Sequence, residues 1–333
     1  MKAVVTGSSG FIGAAVANQL LASGWEVIGI DSHTDYYSTE LKELRLQEIK
    51  QESNYEFYRE DICNHHQVNQ IFKRHKPHAI FHLAAQAGVR IPVDKINKYI
   101  DSNLTGFGSV LQAAVSNNVP EFLYASSSSV YGNSASIPYS ENEKNLSPNS
   151  FYGATKLSNE ILAKSIIQNS QTRGRGMRFF TVYGPKGRPD MAYFRILSSL
   201  FSDSKFELFG DGSIQRDFTF IDDCVESVLA LETNLKEQTP GFHDIVNVGG
   251  GSPVSMNELL KISMDLSGRK LHYQSSGANS NDAQITNASS EYLLSLINAK
   301  PSTKLQDGIQ KTIEWMTKEP QHESLGHWVR SST

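Results

Sequence analysis

The sequence predicts an α/β fold: a doubly wound parallel sheet covered by helices on both faces, followed by a smaller C-terminal α/β domain. Three observations carry this. Short β-branched runs alternate strictly with amphipathic helical stretches through the first half, a rhythm that suits a parallel sheet with crossover helices. The first strand pattern runs directly into a glycine turn and a helix. After about Phe180 the rhythm gives way to glycine-rich loops, short strands and helices.

The strand patterns are Lys2 to Thr6, Glu26 to Asp31, Glu56 to Arg59, Ala79 to Leu83 and Phe122 to Ser126, each ended by polar or glycine-rich residues. Between them lie helical patterns at Phe11 to Ser23, Leu41 to Gln51, His65 to His75, Ile96 to Asn117 and Tyr152 to Asn169. The later part offers strands at Lys205 to Phe209 and Ile245 to Val248, and helices at Met256 to Ser267 and Lys304 to Lys318. The organisation expected is a first domain over 1–180 and a second over 181–320, with some chain returning to the first. A patternless tail over 321–333 is expected to be disordered.

Composition narrows the function. With 333 residues, 39% hydrophobic and 20% charged, the chain has the make-up of an ordinary globular protein. A net charge of −4 with scattered basic residues argues against a nucleic-acid partner. Cys63 and Cys224 are isolated, fit no metal-ligand spacing and cannot build a disulfide framework. No metal is expected. The stretch Met1 to Ile12 is broken by polar and glycine residues, and no later run approaches about 18 apolar residues, so a cytosolic location without membrane contact is expected.

Lys2 to Thr6 leads into Gly7-Ser-Ser-Gly10-Phe-Ile-Gly13 and then a helix. Glycine lets such a turn tighten and lets amides approach a pyrophosphate at a helix N-terminus. The next strand ends at Asp31, where a carboxylate accepts both hydroxyls of a ribose diol and repels a 2′-phosphate, so NAD is favoured over NADP. Asp61, after the third strand, either receives the adenine amino group or caps the following helix. This makes the first domain Rossmann-like.

Tyr152-Gly-Ala-Thr-Lys156 places a phenol and an ammonium on one helix face. A Lys⁺ beside a tyrosine favours the phenolate and prepares an oxygen that can take a proton from an alcohol. The pair follows the strand-end run Ser126-Ser-Ser-Ser-Val-Tyr-Gly132, and strand ends are where open α/β sheets bind ligands.

With these residues the chain resembles the extended short-chain dehydrogenases/reductases, specifically the NAD-dependent epimerase/dehydratase family of nucleotide-sugar enzymes. The motifs include Leu83 to Gly88 ("LAAQAG"), Asn103, Arg178 to Pro185 ("RFFTVYGP") and Arg216 to Asp223 ("RDFTFIDD"). The resemblance implies Tyr152 as acid/base, Lys156 as its partner on the nicotinamide ribose, and Ser127 as the hydroxyl sharing the substrate 4-hydroxyl. It further implies cofactor contacts from Gly7, Gly10, Phe11, Ile12, Gly13, Asp31, Asp61, Ile62, Leu83, Ala84, Ala85, Asn103 and Tyr183. Arg216 takes the place of the diphosphate arginine and Asp282 that of an aspartate usually preceded by a second arginine, which Asn279 replaces here. The resemblance also implies a homodimer and a role in polysaccharide biosynthesis.

Members of this group take hydride from C4, and the fate of the 4-keto sugar sets the product. Dehydratases resemble Thr-Asp-Glu where this chain has Ser127, Ser128 and Ser129, and decarboxylases place a glutamate at position 129. Return of hydride to the opposite face, a C4 epimerisation, is therefore expected. Segments Asp35 to Leu46, Ala84 to Arg90 and Phe179 to Ala192 are similar to UDP-glucuronate 4-epimerases. Ser128, Ser129 and Thr181 offer hydroxyls, and Arg188 charge, to a uronate carboxylate. UDP-glucuronate decarboxylation and UDP-hexose 4-epimerisation stay open as alternatives.

Overall fold

A computed structural model describes residues 1–89, 92–133, 135–202, 204–277, 283–318 and 321–330. The strands are β1 (Lys2–Thr6), β2 (Glu26–Ile30), β3 (Tyr55–Tyr58), β4 (Ala79–His82), β5 (Glu121–Ser127) and β6 (Arg173–Phe179). They continue with β7 (Thr181–Tyr183), β8 (Phe206–Phe209), β9 (Gln215–Phe220), β10 (His243–Val248), β11 (Pro253–Ser255) and β12 (Tyr273–Ser276). Helices are α1 (Phe11–Ala22), α2 (Thr39–Gln47), α3 (His65–His75), α4 (Ile96–Tyr99), α5 (Phe107–Ser116) and α6 (Phe151–Ile167). The remainder are α7 (Ala192–Ser202), α8 (Ile221–Lys236), α9 (Met256–Ser267), α10 (Glu291–Ile297), α11 (Leu305–Met316) and α12 (Gln321–Arg330).

Seven strands form one parallel sheet in the order β10-β6-β5-β4-β1-β2-β3. The order reverses between β1 and β4, so the chain leaves their carboxyl ends in opposite directions and opens a crevice there. Side chains alternate across the sheet as the two-residue period requires. Val4 packs with Ile28, Ile80 and Phe122 under α3 and α5. Ala3 and Val5 face the other layer, whose apolar cluster continues through α8 into α7, α9 and α11. The later chain adds a three-stranded sheet, β11-β9-β7, and a pair, β12-β8.

The helix expected over Ile96 to Asn117 widens into a π-helical turn at Ile100–Gly106, which carries Asn103. β6 was not anticipated, because Arg173-Gly-Arg-Gly-Met-Arg-Phe179 lacks an apolar alternation. Two of its three arginines are nevertheless buried: Arg175 pairs with Asp244 at 2.7 Å and Arg178 with Glu160 at 2.7 Å. α7, α8 and α10 also lay outside the expected elements; their apolar faces find partners only across the assembled layers. No described helix is long and apolar enough to cross a membrane, and both cysteines are free.

The expectation of a disordered tail is corrected. Residues 321–330 form α12, with Leu325 and Trp328 buried against the core. Trp328 stacks on Trp315 with ring centroids 6.1 Å apart and hydrogen-bonds Glu40 through Nε1 at 3.3 Å. Ten residues are too short to hold a helix alone; burial of two large side chains supplies what local propensity lacks. Trp328→Ala should therefore destabilise the protein by about 3–5 kcal/mol, read as a lower urea midpoint. An unchanged midpoint would mean that the tail does not pack.

Candidate active site

The β1–α1 turn is built by close approach. Gly7 has φ +71°, and a Cβ there would lie 2.7 Å from Ala84 N and 2.9 Å from the Leu83 carbonyl carbon. A Cβ at Gly13 would overlap the Gly7 carbonyl oxygen. Glycine at these positions lets the turn fold on itself and rest on the loop after β4. α1 starts beyond Gly10 with Phe11, Ile12 and Gly13 in its first turn, and no acidic side chain competes for its amides.

At the end of β2 the Asp31 carboxylate accepts the Ser9 amide at 3.0 Å and the His33 amide at 2.8 Å. Each oxygen keeps acceptor capacity. The His33 ring lies between Ser9 Oγ at 2.7 Å and Glu43 at 3.1 Å, and burial holds its pKa below the ordinary value. Asp61 is exposed and accepts the Cys63 amide at 2.8 Å, while Asn64 caps α3; the capping alternative for Asp61 is thus excluded. Ile62 is buried beside Gly106, and Ala85 lies half-buried on the loop after β4. Asn103 works inside the protein: Oδ1 accepts the Gln86 amide at 2.8 Å, and Nδ2 donates to Gln86 O at 3.0 Å and Thr155 Oγ1 at 3.1 Å. It clamps the loop after β4 to α6.

Ser150 caps α6 by accepting the Gly153 amide at 3.0 Å, which places Tyr152 in the first turn. A Cβ on Gly153 would lie 2.6 Å from the Ser129 carbonyl oxygen, so this glycine allows α6 to sit against the serine run. Tyr152, Lys156 and Glu160 then follow at four-residue spacing on one face. Glu160 accepts Ser126 Oγ at 2.5 Å and the Arg178 fork at 2.9 and 2.7 Å. This ties α6 to the ends of β5 and β6. Ser127 Oγ accepts the Ser129 amide at 3.1 Å and donates to Ser129 Oγ at 3.2 Å.

The electrostatics add one group to the pair expected from the sequence. Lys156 Nζ donates to the Ala125 carbonyl at 2.9 Å and lies 5.8 Å from the Tyr152 ring centroid. Burial lowers its pKa to about 8. Tyr152 has its phenol pKa raised by burial, opposed by the Arg188 charge and the Ser127 hydroxyl. The Arg188 charge thus also favours the phenolate.

Thr181 opens β7 two residues beyond Phe179, which pairs in register with Ser127, so Thr181 and Ser127 to Ser129 gather at adjacent strand ends. Arg188 Nε and Nη2 donate to Asp190 at 3.0 and 2.5 Å, and Tyr36 Oη donates to the same carboxylate at 3.2 Å. The segment carrying Arg188 is pinned by Arg45, which donates to Lys186 O at 2.9 Å, Gly187 O at 3.0 Å and Ser9 O at 3.1 Å. Tyr36, Arg45, Glu160 and Asp190 were not singled out from the sequence. Glu160 had a signal, the continued spacing from Tyr152 and Lys156.

The cofactor role for the Tyr183 side chain is corrected: its ring is fully buried against Tyr193, Phe218 and Phe220, with its hydroxyl toward Lys304 O. Arg216 makes no ion pair with Asp217. It donates to Gln215 O and Ala283 O, while Asp217 accepts the amides of Gly250, Gly251 and Ala288. Asp282 lies outside the described residues.

These features fit a dinucleotide. A tight glycine turn opening a helix suits a pyrophosphate, and the Asp31 carboxylate retains acceptors for a ribose diol. Tyr152, Lys156 and Ser127 lie at the crevice end, next to hydroxyls suited to a polar substrate.

Residues 3–249 match the model of the NAD dependent epimerase/dehydratase family. Protein CapI of Staphylococcus aureus is 37% identical over 328 residues, covering 95% of this chain and 98% of that protein. A UDP-glucuronate 4-epimerase of Thermodesulfobacterium geofontis is 36% identical over 313 residues, covering 94% and 95%. Among solved structures, the UDP-glucuronic acid 4-epimerase from Bacillus cereus in complex with UDP-glucuronic acid and NAD superposes with a TM-score of 0.88 at 32% identity, covering 95% of this chain and 99% of that one.

The buried ammonium makes stability depend on pH. Folded Lys156 releases its proton near pH 8, against an ordinary 10.5. The unfolded chain therefore binds more protons across that window, and stability rises with pH through it. Lys156→Met should flatten this rise and stabilise the protein at neutral pH by about 1–3 kcal/mol, although turnover falls. Denaturation midpoints at about pH 7 and about pH 10 check the sign; a variant less stable at both rejects it.

Proposed function

This chain belongs to the NAD dependent epimerase/dehydratase family, and from that premise we propose that it epimerises a UDP-sugar at C4, converting UDP-glucuronate to UDP-galacturonate. The observation that carries this reading is the gathering of Ser127, Ser128, Ser129 and Thr181 at adjacent strand ends, with Tyr152 in the first turn of α6, without a carboxyl group at positions 128 and 129. The solved relative bound to UDP-glucuronic acid and NAD supports it.

NAD, when bound, supplies reversible hydride chemistry at C4. The residues of this chain do the rest. Gly7, Gly10 and the first turn of α1 hold the pyrophosphate, Asp31 the adenosine ribose, and Lys156 the second ribose. Tyr152 Oη, with Ser127 Oγ beside it, takes the proton of the C4 hydroxyl and returns it to the epimer. Ser128, Ser129 and Thr181 donate to the C6 carboxylate. Holding that group in the plane of a C4 ketone keeps the C5–C6 bond out of line with the carbonyl π system, which preserves the carboxylate. Arg216 grips the diphosphate in bidentate fashion.

Incubation with UDP-glucuronate should yield UDP-galacturonate, separable by chromatography. Tyr152→Phe should lower kcat by about 10²–10⁴-fold while NAD affinity stays unchanged. Epimerisation of only a neutral UDP-sugar, or full activity of the variant, would reject this assignment.

A homodimer in the cytoplasm completes the reading. On α6, Ile161, Leu162 and Ile166 stand 63%, 43% and 45% exposed, an apolar strip suited to a self-complementary contact around a two-fold axis. Light scattering should give twice the chain mass for the parent and one chain mass for Leu162→Asp. A monomeric parent removes the dimer from the proposal.

A further inference from the structure

The Arg188 charge acts on Tyr152, yet two of its nitrogens are already engaged. Asp190 takes them at 3.0 and 2.5 Å, and the Tyr36 hydroxyl holds the same carboxylate at 3.2 Å. Burial would raise the Asp190 pKa, but Arg188 and the Tyr36 hydroxyl bring it below the ordinary value, so the carboxylate is ionised. The other groups acting on Arg188 are the phenols of Tyr36 and Tyr152, neutral near pH 7. A site for a uronate would gain from an unpaired guanidinium. A built-in counter-ion therefore calls for a reason.

The chemistry of the intermediate offers one, if the UDP-glucuronate reading holds. Oxidation at C4 creates a β-keto acid. Its loss of CO₂ breaks the C5–C6 bond, sends the electron pair into the C4 carbonyl as an enolate, and leaves C5 to take a proton from water. Negative charge thus moves from the carboxylate to the C4 oxygen, the atom Tyr152 and Ser127 hold. An uncompensated cation near that oxygen stabilises the enolate and speeds the loss. A cation cancelled by its own carboxylate does so far less.

We propose that Asp190, steadied by Tyr36, is a positioning residue that neutralises Arg188 and so keeps the 4-keto uronate from decarboxylating before it is reduced. The test quantifies CO₂ and nucleotide-sugar products from UDP-glucuronate. Asp190→Asn should raise the fraction of oxidised sugar lost as CO₂ by about tenfold or more, the factor corresponding to one pKa unit of local electrostatics. Asp190→Glu should restore the parent partition. Combining Arg188→Gln with Asp190→Asn should also restore it, because the cation is gone. If Asp190→Asn does not fold, Tyr36→Phe should shift the partition the same way, and no shift overturns the proposal.

Binding is read separately in the inactive Tyr152→Phe background, where Asp190→Asn should bind UDP-glucuronate at least as tightly as its parent. Weaker binding there overturns the proposal, as does an unchanged CO₂ fraction or a double variant that loses as much CO₂ as the single one. A parent enzyme that makes no UDP-galacturonate overturns the substrate reading instead.

Discussion

The ion pair of Glu160 with Arg178 fixes how α6 sits on the paired strands β5 and β6. Glu160 rises from α6, Arg178 from β6, and Ser126 from β5 closes the group through its hydroxyl. Ser126 and Arg178 are register partners, so the pair lies across the sheet end that carries Ser127. Both charges are almost wholly buried. Removing one partner of such a pair leaves a buried, unmatched charge at about 3–5 kcal/mol, which gives a strong preference for a single geometry. Lys156 and Tyr152, about one and two helical turns away on α6, inherit their placement from it.

Around that anchor two further arginines are paired with carboxylates, while the buried lysine is not. Arg175 has Asp244, and Arg188 has Asp190. Lys156 has a carbonyl and a ring but no described carboxylate partner, and its depressed pKa registers the desolvation. An ammonium held without a carboxylate keeps donors for hydroxyls, which suits a ribose. The phenol next to it stays protonated in the ligand-free site because burial outweighs the Arg188 charge. The site thus keeps stability in reserve at one residue and spreads neutral hydroxyls where a substrate carboxylate would lie.

The glycine turn, Asp31, and the Tyr152 and Lys156 pair were legible because each depends on local geometry. A turn that needs positive φ at Gly7 selects glycine wherever it occurs, and a four-residue spacing sets one helix face. Tyr183 was misread because its motif lies in the right strand, while the direction of its ring depends on helix α11 more than 100 residues later. Arg45 carries no local signal for the same reason: the carbonyls it holds, on Lys186, Gly187 and Ser9, come from distant segments, and nothing local distinguishes it from a surface charge.

The sequence by itself determined the alternation of strands and helices, the crevice at the carboxyl ends and the residue types that reach it. These follow from hydrophobic period, turn chemistry and short-range spacing, all of which act within about 20 residues. Tertiary structure alone decided that β6 is a strand despite its arginines, that the tail folds as α12, and that Tyr36 reaches Asp190. Each of those outcomes depends on burial against, or charge pairing with, side chains from elsewhere in the chain. Such energies exist only once the layers have assembled, so a linear reading cannot contain them.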